Sequence, residues 1–345
     1  MSKLQRHLRD QRGITMFEVE ALSVSRTVAN RQQRMVDDLR FKVGLGRTIA
    51  IVGDNASVLS SVGLALQGLT SHKDDRLAGT IKIGSTTLKI ADAEQMELRR
   101  GGDFGFAGAV APKKTVSDLL IDTYLIEHQV DKRIARQKVL KILEVVGLDN
   151  VELVLTKQIS SLRIIEQRQV MLANAICNEP RLLIVEDLLS DIEPTDVLHL
   201  VELVASLRDR LGCAVVWLTQ SLSESVMYAD EIVLMHGARA VESGSRSDVL
   251  LRPEMPYTVA LLSRIPSFAH TGLPAASSPV PAGEVPAPSG CSFVDSCGRA
   301  TLVERGQCVA AVPVMAASSI GHEVRCHLAP GLRVRFARQI LGGES

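Results

Sequence analysis

Residues 48–61 read TIAIVGDNASVLSS. Thr48 to Val52 is an almost wholly apolar run that stops at Gly53, the pattern of a strand buried on both faces. Beyond a short loop, Val62, Ala65, Leu66 and Leu69 recur at helical spacing. The stretch therefore predicts a strand–loop–helix unit, and the same alternation continues outward from it. Ile134, Leu140, Leu143 and Val146 mark an amphipathic helix closed by Gly147. A further helix leads up to Pro180, and Leu182–Val185 is a second buried strand. Ala214–Leu218 is a third, and Glu231–Glu242 has the look of a hairpin turning at His236-Gly237. Upstream, Ile14 to Val24 roughly alternates apolar and polar residues, as a half-buried strand does. Strands alternating with helices predict an α/β domain with a mainly parallel sheet.

The bulk composition narrows the function classes. Lys plus Arg and Asp plus Glu both number 39, so no excess of positive charge points to nucleic acid. Aromatic residues make up 3% of the chain, too few for base-stacking surfaces. The start, MSKLQRHLRDQRG, has no apolar core of a secretory signal, and no apolar run is long enough to span a bilayer. The expectation is a cytosolic protein that meets a membrane only through a partner. Residues 271–290, TGLPAASSPVPAGEVPAPSG, cannot build a core and read as a linker or extended strap.

The loop after the first buried strand is the place to look for chemistry. A phosphate-binding loop follows G-x-x-x-x-G-K-[ST], with backbone N–H groups wrapping the phosphates and the Lys neutralising them. Here Gly53 and Ser60 hold the first and last positions, Val58 stands for the second Gly and Leu59 for the Lys. Taken alone, this is a strand-to-helix turn of any α/β protein.

Other segments supply the context. Gln169–Val185 (QVMLANAICNEPRLLIV) followed by Glu186 and Asp187 resembles the helix and Walker B strand of ABC transporter ATPases. Ala229–Met235 through Glu242-Ser-Gly244 is similar to the hairpin after their switch histidine. Pro256-Tyr-Thr258, Leu261–Pro266 and the segments around Cys291, Cys297, Cys308 and Gly321–His327 resemble oligopeptide and dipeptide importer subunits. Ile192–Thr195 and Ile265–Phe268 faintly resemble the Sap branch, linked to antimicrobial peptides. The order is kept from about residue 14 to 330, which a chance loop would not do. The resemblance implies an ABC-type α/β nucleotide-binding domain over residues 14–265 after a tail at 1–13, with a helical subdomain at about 95–165. A linker at 266–290 and a small cysteine-bearing extension at 291–345 follow.

The resemblance also implies which residues should have carried catalysis, and they are replaced. Leu59 offers no charge where a charge-assisted phosphate contact is worth roughly 1.5–3 kcal/mol, so nucleotide affinity should fall at least about tenfold. Ala109 takes the position of the glutamine that senses Mg²⁺ and the attacking water. Leu162-Arg-Ile-Ile165 replaces the L-S-G-G signature, obstructing the helix N-terminus that would cap a γ-phosphate. The Walker B pair is inverted to Glu186-Asp187, which puts the shorter carboxylate at the general-base position. Gln220 replaces the switch histidine and cannot carry a proton. Arg26 lies near the position of the aromatic that stacks on adenine. What remains for MgATP, bound weakly or not at all, is Gly53, Ser57, Ser60 and Ser61, with Ser60 as a ligand for Mg²⁺.

Six cysteines divide into two kinds. Cys177 and Cys213 lie in apolar segments and read as small buried residues. Cys291-x5-Cys297-x10-Cys308-x17-Cys326 gathers the other four near the end of the chain. Disulfides are disfavoured in the cytosol. A structural Zn²⁺ site usually opens with a closer pair than this, whereas a [4Fe–4S] cluster needs four Cys and tolerates irregular spacing. The resemblance implies the cluster, carried by some importer subunits with this extension. His322 and His327 flank the last cysteine and read as neighbours rather than ligands.

The function expected from these readings is a degenerate, non-hydrolysing subunit of a peptide ABC transporter on the cytoplasmic side of the inner membrane. Its partners would be a second ATP-binding subunit, two transmembrane permease subunits met through Phe104–Ser117, and indirectly a peptide-binding protein. Two alternatives stay open: a metal- or Fe–S-binding regulatory protein on an ABC scaffold, and a weakly active ABC ATPase.

Overall fold

A computed structural model describes residues 15–28, 31–100, 102–108, 113–265 and 289–341. The chain opens with β1 (Thr15–Val28) and β2 (Arg31–Gly44), then β3 (Thr48–Gly53), α1 (Ala56–Ala65), β4 (Asp75–Ile83), β5 (Thr86–Lys89), α2 (Ala93–Arg100) and β6 (Phe104–Ala107). A helical stretch follows: α3 (Val116–His128), α4 (Lys132–Val145), α5 (Val151–Thr156) and α6 (Ile164–Ile176). Next come β7 (Leu182–Glu186), α7 (Pro194–Leu211), β8 (Ala214–Thr219), α8 (Leu222–Ser225), β9 (Glu231–His236), β10 (Arg239–Ser245), α9 (Arg246–Leu251) and α10 (Pro256–Leu262). The C-terminal part holds α11 (Gln307–Ala310), β11 (Ala316–Ser319), β12 (His322–Val324) and α12 (Pro330–Leu341).

The three apolar runs are β3, β7 and β8, and they lie side by side in an eight-stranded sheet of order β11-β12-β10-β9-β3-β8-β7-β6. β3 is parallel to both neighbours, with Thr48 opposite Val215 and Ile49 opposite Glu231. Every residue of β3 and β8 is buried, which is why both read as unbroken apolar runs rather than alternations. Gly105 of β6 lets α6 approach, since a Cβ there would sit 2.1 Å from the Ala175 carbonyl oxygen. The helical layer begins after β6, at Val116, and buries Leu120, Val139, Leu143 and Leu172 against the sheet's other side chains.

A second, antiparallel sheet of order β2-β1-β4-β5 packs Phe17, Leu22, Leu39 and Phe41 into the same core as Leu59 and Val62 of α1. The strand expected at 14–24 is real but longer, and β2 has no counterpart among the predicted elements. In β2 the buried residues Met35, Val36, Leu39, Phe41 and Val43 change phase around Asp38. Asp38 adopts φ +54°, and the pairing with β1 shifts register between Leu22 and Val24. A bulge of this kind breaks the two-residue period on which strand reading depends.

The C-terminal extension joins the eight-stranded sheet. β12 pairs with β10, Glu242 opposite Val324 and Ser243 opposite Glu323. The joint is sealed by a buried ion pair, His322 Nε2 to Glu242 Oε1 at 2.8 Å. Glu242 also accepts from the backbone N–H groups of Glu254 at 2.7 Å and Met255 at 3.2 Å. Burial alone would depress His322, but the bond to Glu242 and the charges of Glu242, Glu254 and Asp248 outweigh it and raise its pKa above 6.5. The Pro/Ala-rich linker lies outside the described residues except for Ser289 and Gly290.

Candidate functional site

The loop between β3 and α1 is short, because α1 starts at Ala56, two residues before the position a phosphate-binding loop gives its second glycine. Asn55 is the cap. Its side-chain oxygen accepts from Ser57 N–H at 2.8 Å and Val58 N–H at 3.4 Å, and its carbonyl accepts from the N–H groups of Val58 and Leu59. Asparagine is among the best N-cap residues for this reason. The amides that would cradle a phosphate are thus used within the loop. Leu59 is 3% exposed and packs in the core. Its side chain lies over the loop's start, Cδ2 being 3.1 Å from where a Cβ on Gly53 would stand. The sequence pattern exposed the loss of Lys at 59 but not this filling of the space.

Of the residues expected to keep some affinity for MgATP, Ser60 donates to Glu186 Oε1 in a short hydrogen bond, and Ser61 is buried with its hydroxyl on the Ser57 carbonyl at 2.8 Å. Glu186 ends β7, and burial pushes its carboxyl above the ordinary carboxylate range, with Asp187 adding to the shift and the Ser60 bond opposing it. Asp187 does not continue the strand. It takes φ +51° and its carboxylate accepts from Ser190. The alternation of faces expected of a strand therefore does not carry over to it. Gln220 follows β8 and donates from Nε2 to the Asp54 carbonyl at 3.3 Å, so an amide rather than a titrating ring stands beside the loop.

The N-terminus of α6, where the signature was expected, is also capped. Arg163 caps α6, and the carboxylate of Glu166 accepts the Arg163 N–H at 2.9 Å, so the positive end of the helix already holds an anion. Ile164 beside it is exposed. This half capping box carries no clear sequence signal, because Arg163 rather than Ser or Thr stands at the N-cap. Arg26 is fixed by Asp75, Nε to Oδ1 at 2.7 Å and Nη2 to Oδ2 at 3.1 Å, and by Ser71, which occupies the guanidinium expected near adenine. Ala109 lies outside the described residues, as does part of the Phe104–Ser117 segment.

Cys177 and Cys213 are buried, their thiols pushed up to about 12 by burial. The four C-terminal cysteines form no disulfide. Cys291, Cys297 and Cys326 pack against one apolar cluster, and Cys308 is buried. Gly290 allows the Cys291 N–H to reach the Cys308 carbonyl at 2.8 Å, since a Cβ there would meet that oxygen at 2.7 Å. Burial raises all four thiols, Cys291 to about 11 and Cys326 to about 12. The donor chemistry is that of an iron–sulfur or zinc site. The placement is not: among the described residues no group of three or more His, Cys, Asp or Glu side chains is arranged to hold a metal ion.

Comparison with known proteins fits this architecture. Residues 36–189 match the family model described as ABC transporter, and residues 241–302 match that described as oligopeptide/dipeptide transporter, C-terminal region. The dipeptide transport ATP-binding protein DppD of Escherichia coli is 26% identical over 321 residues, spanning 91% of this chain and 97% of the relative. DppD of Haemophilus influenzae is 25% identical over 295 residues, 84% of this chain and 89% of its own. Among solved structures, a dimeric bacterial ABC transporter cassette superposes with a TM-score of 0.59 at 14% identity, covering 67% of this chain and 98% of the cassette. The cassette cbiO1 of Clostridium perfringens gives 0.55 at 18% identity, covering 74% and 98%. At these identities the structural likeness speaks for the fold alone.

Proposed function

We propose, on the premise that the chain belongs to the ABC transporter family and carries its oligopeptide/dipeptide transporter C-terminal region, that it is a subunit of a peptide importer which no longer hydrolyses ATP. One observation carries the reading: Asn55 takes the Ser57, Val58 and Leu59 amides and the Leu59 side chain lies over Gly53, which leaves a phosphate fewer donors and less room. Glu166 on the N-terminus of α6 supports the same conclusion for the partner's nucleotide, whose γ-phosphate would meet a carboxylate there.

The division of labour we propose is a cassette over residues 14–265, a linker over 266–290 and an extension over 291–345. The cassette completes a dimer with a second, ATP-binding subunit and couples it to two permease subunits at the cytoplasmic face of the inner membrane. A peptide-binding protein would deliver the cargo. No described helix is long and apolar enough to cross a membrane. The test is reconstitution of the assembly with and without this chain. The reading expects transport to be lost without it while Glu186→Gln in this chain leaves turnover unchanged. Equal ATP hydrolysis and transport without the chain would defeat it.

Donor type alone would suit the four cysteines to a [4Fe–4S] cluster, but the described structure does not bring them together as ligands. Four thiols, that of Cys308 buried and the others half-buried, would have to deprotonate and close in on the metal together, so binding should reorganise the segment and release protons. Iron content and visible charge-transfer absorbance after anaerobic purification decide between cluster, zinc and neither.

A further inference from the structure

One chain of buried contacts runs from the cysteine-bearing extension to the nucleotide loop. Asp54 sits between Gly53 and the capping Asn55. Its carboxylate is buried, with Oδ2 2.5 Å from His236 Nδ1 and Oδ1 accepting the Gly237 N–H at 3.3 Å. The turn between β9 and β10 therefore grips the loop. The His236 ring is itself wedged. It stacks on Tyr257 of α10 with centroids 4.5 Å apart, and Phe293 stands edge-on at 5.4 Å from both rings. Phe293 is 4% exposed and belongs to the extension, two residues after Cys291.

We propose that the docked extension locks the nucleotide loop through Phe293, His236 and Asp54. Phe293 fills the space that would let the imidazole turn, the imidazole holds the Asp54 carboxylate, and Asp54 sets the backbone from which Asn55 caps α1. Close-packed interiors pass on such a displacement as a discrete switch rather than a graded one. A buried carboxylate that loses a partner must find water, which here means opening the loop. Undocking the extension would release the capped amides of Ser57 and Val58. This goes beyond the importer reading, because it holds whether or not the chain ever meets a nucleotide.

Hydrogen–deuterium exchange on the full chain tests it, comparing wild type with Phe293→Ala, Phe293→Leu, His236→Phe and the Phe293→Ala/His236→Phe double variant. His236→Phe keeps the ring stack and removes only the bond to Asp54. Each single variant should speed exchange of the Ser57 and Val58 amides by about tenfold or more, with the double variant no faster than His236→Phe alone. Phe293→Leu keeps the test open should the alanine variant fail to fold. Unchanged loop exchange while the amides around Cys291 and Cys308 speed up would overturn the proposal. So would acceleration spread evenly along the chain, or effects that multiply in the double variant.

Discussion

A lysine at position 59 would have to leave the core to reach a phosphate. Leu59 shares a buried cluster with Phe17, Leu39 and Val62, so Leu59→Lys exchanges apolar packing for an ammonium with no partner in that cluster. Urea unfolding should show a loss of about 2–4 kcal/mol, well beyond an exposed substitution. Glu186 gives a second test at this scale. Burial raises its folded pKa above the ordinary 4.5, so the folded state binds the proton more tightly than the unfolded state. Stability should therefore fall as pH rises above about 4.5, and Glu186→Gln should flatten that slope and help most near neutrality. Stability measured across that range would contradict this by keeping its slope in the variant. The missing charge at 59 and the altered pair at 186–187 were legible because residue type alone decides them. The roles of Asn55 and Asp187 were not: one depends on where a helix begins, the other on a positive φ that ends the strand's alternation.

Whole elements were legible where burial is uniform. β3, β7 and β8 announced themselves, because a strand covered on both faces is apolar throughout. β2 and β12 stayed hidden for different reasons, the first through its bulge and the second because three residues are too few to show a period. The short β12 depends instead on His322 against Glu242. His322→Ala leaves Glu242 buried with backbone donors only, and should cost about 3 kcal/mol by chemical denaturation. The histidine's folded pKa is raised above 6.5, so the pair's contribution is full below that value and is lost as pH climbs through the folded pKa. The gap between wild type and variant should accordingly be wider near pH 6 than near pH 9. An equal gap at both would mean that His322 acts by packing alone.

Across the whole molecule two helix ends are already capped from within, those of α1 and α6. Its own loop is capped by Asn55, and the helix end it would offer a partner is capped by Glu166. The extension is no appendage, since β11 and β12 complete the edge of the main sheet and Phe293 reaches the ring cluster behind the loop. The spacing of the cysteines could not disclose that, as the contacts come from sheet pairing and single side chains. The proposal that this chain does not hold a triphosphate rests on the capped loop and the buried Leu59. Calorimetric titration of MgATP into the purified wild-type chain and into Leu59→Lys tests this most directly. No micromolar binding is expected of the wild type and little recovery of Leu59→Lys, because Asn55 still occupies the Ser57 and Val58 amides. Micromolar affinity of the wild-type chain for MgATP would contradict it.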